Sequence, residues 1–424
     1  MPQRLRRLFT SAFFISLVAL ALRVAFLLHQ ASLIPVEVLA VVPFQNEVGN
    51  VSAALARGEG FCCLFGQPTG PTAWLAPVYP LLVAALFKLF GTFTLASFYA
   101  STLLNCVCSS LAGIPLFYAA KRIAGLTTAA SAAWLWAIFP SGIVMPFEWV
   151  WDTSLSTLLA AALLWATLAF ADSLRLRNAA AYGLLWAISL LSNPALGILL
   201  PFLFGWVVYR HHRLGCLRPA PILLVLAVLL AACLPWIIRN YVQFHRFIPM
   251  RSNFSFELWS GNNEIFDEHS REINRITRYE EAHRYAQLGE NAFFDEKWQK
   301  AGHFIRTHPA LYLRLCGRRI VATWIGTETP WRDFSQTGSL LVRFLFFWNA
   351  ATLLGVLLGI VLLYLTSNPF LFPVAVFPLM FPLTFYIAHT SLRHRHPCDP
   401  ILALLLALSF TLFWGRPPKL SSVQ

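Results

Sequence analysis

Residues Gln45 to Pro80 read QNEVGNVSAALARGEGFCCLFGQPTGPTAWLAPVYP, a polar stretch punctuated by glycine and proline in a chain that otherwise seeks hydrocarbon. Val48, Val51 and Leu55 recur at helical spacing while Glu47, Asn50 and Arg57 fall on the other side. That pattern predicts a short amphipathic helix lying at a membrane surface. It would hold the Glu47 carboxylate at the water boundary, close behind a first membrane span.

Composition decides the class around this stretch. With 424 residues, 58% of them hydrophobic and 12% charged, and a mean hydropathy of +0.62, the chain cannot hide its apolar content in one water-soluble core. It is an integral membrane protein. A net charge of +13 would point to nucleic acid in a soluble protein. Here many basic residues flank apolar runs, where they set orientation, and nucleic acid is excluded as a partner. The eight cysteines show no metal-ligand spacing: Cys106, Cys108 and Cys233 lie in apolar runs, Cys62 and Cys63 are adjacent, and Cys216, Cys316 and Cys398 are isolated. They read as structural filler. The first apolar run is long enough to span and is followed by no small-residue cleavage site, so no cleavable signal peptide is expected.

Apolar runs predict an all-α bundle of about ten transmembrane helices. Arg4, Arg6 and Arg7 precede the first, from Leu8 to His29. Pro77 to Gly91 extends only about 22 Å as a helix and reads as a second interfacial helix. Further spans run from Phe93 to Ala120, Leu126 to about Met145, and Thr153 to Ala171. The block from Ala179 to Tyr209 is split at Ser192-Asn193-Pro194 into two short spans, and Pro219 to about Ile238 follows. Leu340 to Leu365, Pro369 to Ala388 and Pro400 to Trp414 complete the set. Three units result: a core over 1–238 with a first outer loop at 30–92, a charged loop domain over 239–339, and C-terminal helices over 340–424.

Lys121, Arg122, Arg175, Arg177, Arg210, Arg213, Arg218, Arg416 and Lys419 fall on the same side as the N-terminal arginines. The loops at Pro146 to Asp152 and Ser192 to Pro194 carry none. Both termini are therefore expected inside, with Glu47, Asp152, the loop domain and the Arg393 cluster on the outer face.

Two groups of residues could carry chemistry there. Glu47, and the pair Glu148 and Asp152 in PFEWVWDTS, are acids with no basic neighbour in sequence. A positioned carboxylate takes a proton from an attacking hydroxyl, and two can hold a divalent cation. Glu148 and Asp152 share a helical face if the fourth span begins early; Asp152 reads equally as that helix's cap. The second group is TSLRHRHPCDP, Thr390 to Pro400. Arg393 and Arg395 could grip a phosphate with planar forks, with donors from His394 or His396, or be drawn to lipid headgroups. Arg239 is similarly placed. Arg23, inside the first span, faces the protein interior or snorkels, with an acidic residue or a phosphate as partner.

The order of these pieces resembles the GT-C superfamily of integral membrane glycosyltransferases, and within it the protein mannosyltransferase and aminoarabinose transferase group, glycosyltransferase family 39. The resemblance rests on an acid opening the first outer loop, then ALARGEGF, PTGPTAWLAPVYPLL and the LFG closing the second interfacial helix. An acidic second outer loop, PWIIRNY before a large outer domain and an Arg-rich loop before the final span continue it. It implies transfer of a sugar from a polyprenyl-phosphate-linked donor to a glycan, lipid or protein acceptor, on the outer face of a bacterial cytoplasmic membrane. Glu47 would stand at the catalytic centre, with Glu148 or Asp152 as the second-loop acid. The aminoarabinose transferases carry an acidic and a basic residue just before the proline of the second interfacial helix, where this chain has Leu75-Ala76-Pro77. No metal is assigned there, and no cofactor beyond a divalent cation is expected. The rival from another class is a transporter or lipid-linked sugar flippase, which the absence of internal repeats disfavours.

Overall fold

The computed structural model describes residues 7–148, 150–263, 273–326 and 340–414. Every regular element among them is helical, and an isolated antiparallel bridge between Cys62 and Pro71 is their only β contact. Arg4, Arg6, Arg416 and Lys419, part of the orientation argument, lie outside the described residues.

Six helices among the described residues are long and apolar enough to cross a membrane: Ala12–Ser32, Leu95–Ala137, Thr153–Asp172, Pro194–Arg213, Pro219–Phe244 and Arg343–Leu365. The 43 residues of Leu95–Ala137 exceed one crossing, and the helical path breaks at Ala124 and Gly125, beside Lys121 and Arg122. Two expected spans therefore meet at this break. The other expected spans correspond to shorter helices: Leu176–Ser192, Leu371–Met380 with Leu383–Ile387, and Asp399–Trp414. Val78–Phe90 is the short apolar helix expected at the interface.

Small residues let these helices approach. The Gly113–Ala137 helix buries Ala119, Ala120, Ala129, Ala132, Ala133 and Ala137 in the bundle core. A Cβ at Gly359 would stand 2.4 Å from the Leu405 carbonyl oxygen, and one at Gly355 2.2 Å from a Leu406 methyl. The Gly-xxx-Gly spacing thus seats the Leu340–Leu365 helix directly against Asp399–Trp414.

Arg23 is fully buried in this bundle. Its Nε donates to Ser109 Oγ at 2.9 Å, and its terminal nitrogens donate to the carbonyls of Ala19, Ala137 and Trp136 at 3.0 to 3.2 Å. A guanidinium surrounded by hydrocarbon must satisfy its donors within the protein, and backbone oxygens do so here.

The charged stretch after Pro219–Phe244 forms the helices Phe254–Gly261, Ile273–Thr307 and Pro309–Ile325. This stretch follows a helix that runs on through Arg239 to Phe244. It is stitched to the first loop by buried Glu290. One of its carboxylate oxygens accepts from Ala73 N at 2.8 Å and Ser252 Oγ at 2.6 Å; the other accepts from the Tyr285 hydroxyl at 2.5 Å. Trp74 packs beside this junction, its ring 4.8 Å from Phe256 and 5.3 Å from Phe294.

Candidate active site

The amphipathic helix spans Glu47–Arg57, with Val48 and Val51 buried and Arg57 exposed. Its start is tightly determined. Asn46 caps it, Oδ1 accepting from Gly49 N at 2.9 Å, while Nδ2 donates to Pro43 O at 2.9 Å. A Cβ at Gly49 would lie 2.0 Å from the Phe44 carbonyl oxygen, so only glycine fits that turn. Glu47 is thereby the first helical residue, where the amide ends favour a negative charge. One of its carboxylate oxygens has no hydrogen-bond partner among the described residues.

Glu47 lines a cavity of about 720 Å³ that also receives Asp152, Arg251, Glu257, Arg393 and His394. These side chains come from the first loop, the entry to the Thr153–Asp172 helix, the loop domain and the last loop. Asp152 makes no cap hydrogen bond to that helix; its carboxylate accepts instead from Ser156 Oγ at 3.3 Å. Glu257 accepts from Asn253 Nδ2 at 2.9 Å. Burial pushes both carboxyls up from their ordinary range, and the Arg251 and Arg393 guanidiniums pull both back down. The four charges are therefore within electrostatic reach of one another.

Arg393 stacks on the Trp151 ring, its guanidinium carbon 4.5 Å from the centroid. A cation held by a ring face spends no N–H on that contact; one terminal nitrogen stands 3.5 Å from His394 Nε2, and the other N–H groups of the fork can take an anion. Arg251 is steadied by its Nε, which donates to the Trp74 carbonyl at 2.9 Å. His394 stacks flat on Phe385 at 4.8 Å. Burial, and then the Arg393 charge, hold its imidazole well below the usual histidine pKa, so it is neutral at neutral pH.

Other expected residues lie elsewhere. Glu148 ends the Pro140–Glu148 helix, is exposed and does not line the cavity. The next helix begins only at Thr153, so Glu148 and Asp152 do not share a helical face. Arg395 is buried, its Nε on Asp399 at 3.1 Å and its other nitrogens on Thr323 O, Trp324 O and Asn349 Oδ1. On the single turn Leu392–Arg395, residues two apart face different ways, and Arg393 takes the cavity side. Arg239 donates to Thr72 O at 2.7 Å and Phe61 O at 3.0 Å, which ties the first loop to the bundle. Arg23 is committed to the carbonyls described above. Arg251 and Glu257 escaped the sequence analysis; an acid within the aromatic run FSFELWSG was the available signal.

Glu47 and Asp152 both line the cavity, and among the described residues no group of three His, Cys, Asp or Glu ligand atoms forms there. A divalent cation there would draw its remaining ligands from substrate and water.

No protein-family model and no curated protein matches the chain. Among solved structures, it is similar to the oligosaccharyltransferase of Archaeoglobus fulgidus in complex with zinc and sulfate. The TM-score is 0.51 at 11% identity, over 94% of this chain and 48% of that one. The apo form of the same enzyme gives 0.50 at 12% identity, over 94% of this chain and 50% of that one. This chain spans about half the length of the protein it matches. At such identity the likeness speaks to architecture, and the chain is an all-α, multi-pass membrane protein with the GT-C fold.

Proposed function

We propose that the protein is a membrane glycosyltransferase that moves a sugar from a polyprenyl-phosphate-linked donor to an acceptor hydroxyl on a glycan, lipid or protein, on the extracytoplasmic face. The observation that carries this reading is the meeting of an acid with an unpartnered oxygen and a ring-stacked guanidinium in one cavity of a GT-C bundle. The similar oligosaccharyltransferase supports transfer of glycans, and the words shared with family 39 support a lipid-linked monosaccharide donor.

In this mechanism Glu47 accepts the proton of the acceptor hydroxyl as its oxygen attacks the anomeric carbon. Arg393, with Arg251 beside it, binds the phosphate and stabilises the charge that develops as it leaves. Neutral His394 adds a hydrogen bond without adding charge. Asp152 and Glu257 offset the charge of the two guanidiniums within the cavity. Arg395, Arg239 and Arg23 act by keeping the frame in place.

Mass spectrometry of polyprenyl-linked sugars and surface glycans from cells with and without the protein tests the reading. One lipid-linked sugar should accumulate in its absence, with a matching glycan modification lost. Unchanged profiles of both would overturn it.

A further inference from the structure

Cys62 and Cys63 lie in the loop that follows the Glu47–Arg57 helix, outside the cavity. Their Sγ atoms are 2.8 Å apart. Successive side chains of an extended chain point to opposite sides, but Cys63 has φ 64, a left-handed conformation uncommon for a residue with a Cβ. The turn is pinned on both flanks: Thr72 N donates to Phe61 O at 3.0 Å, and Gly66 N to Cys63 O at 2.9 Å. Both thiols face Glu59, Cys62 Sγ toward its carbonyl at 3.5 Å and Cys63 Sγ toward its carboxylate at 3.8 Å. Arg57 donates to both oxygens of that carboxylate, at 2.6 and 2.8 Å. Arg57 thus engages both carboxylate oxygens, and the two adjacent sulfurs are the reactive element of the cluster.

We infer that Cys62 and Cys63 form a reversible vicinal dithiol, a modification site that closes to a disulfide on exchange with a small-molecule disulfide. Cys62 is half-buried and Cys63 buried, so the incoming disulfide meets Cys62 and the neighbouring sulfur then displaces the mixed partner. Both S–H bonds break and one Sγ–Sγ bond forms. The two protons and two electrons pass to the small disulfide, which leaves as two thiols. Adjacent Cα atoms stand about 3.8 Å apart, against roughly 4.4–6.8 Å in ordinary disulfides; the resulting ring is tight and external thiols reopen it readily. Burial first, and then the bond with Cys63, push the Cys62 thiol up to about 12. Closure therefore speeds up as pH rises. The ring forms two residues from Phe65, which lines the cavity.

The test uses the full chain in detergent, treated with oxidised glutathione, denatured, alkylated with N-ethylmaleimide, digested and mapped by mass spectrometry. The peptide holding both residues should lose both alkylations and weigh two hydrogens less, and dithiothreitol should restore double alkylation. Cys62→Ser should leave Cys63 as a single alkylated or glutathionylated thiol. Full double alkylation of the wild type after oxidation, two separate glutathione adducts, or pairing of either residue with another cysteine would overturn the inference.

Discussion

Glu47 and Arg393, from the first and the last polar loops of the chain, line one cavity, the acid at a helix start and the guanidinium stacked on Trp151. Proton acceptance and phosphate binding can thus be served within one space.

Arg393 and Arg395 should separate function from stability. Arg393→Ala should lower sugar transfer strongly while leaving thermal unfolding in detergent near that of the wild type. Arg395→Ala leaves buried Asp399 with His396 and Ser141 as its remaining partners and strips hydrogen bonds from Thr323, Trp324 and Asn349, and should lower the melting temperature first. Melting curves and transfer rates on the two variants check this, and equal destabilisation by both would contradict it.

Arg251 should set the acidic limb of the pH–rate profile. Burial raises the Asp152 and Glu257 carboxyls and Arg251 opposes that rise. Removing the guanidinium in Arg251→Ala should raise both further, so that the loss of transfer accompanying their protonation moves to higher pH. Arg251→Lys, which keeps the charge, should reverse most of that shift. The checking measurement is transfer rate against pH for the three proteins.

His394 should contribute to acid lability. Its folded pKa is lowered by burial and Arg393, so the unfolded chain binds the proton more readily. The stability conferred by the neutral ring is present above the ordinary histidine pKa of about 6.5 and is lost as pH falls below it. In His394→Gln, the fall in melting temperature on acidification should be shallower than in the wild type.

Gly49 should be intolerant of any side chain. The methyl of Gly49→Ala would meet the Phe44 carbonyl, and overpacking of this kind costs about 1–3 kcal/mol. The variant should melt lower and transfer more slowly, because the displaced turn carries Glu47.

The spans were legible because each is an apolar run bounded by charge or proline, as at Asn193-Pro194, where Leu176–Ser192 ends. The Glu47 helix was legible from Val48, Val51 and Leu55. The partners in the cavity were less so. Arg251 and Glu257 meet Asp152 only through tertiary folding, and no spacing marks them. Arg393 and Arg395 look alike in sequence, yet one turn of helix sends them to different environments. Arg239 and Arg23 read as available cations because backbone carbonyls, which satisfy both, leave no trace in side-chain patterns.

The most direct measurement is sugar transfer by Glu47→Gln, using as donor the lipid-linked sugar that accumulates in cells lacking the protein. General-base catalysis is worth about 10²–10⁴-fold, so transfer should fall by that order, with membrane insertion and melting temperature unchanged. Undiminished transfer by a well-folded Glu47→Gln protein would contradict the account.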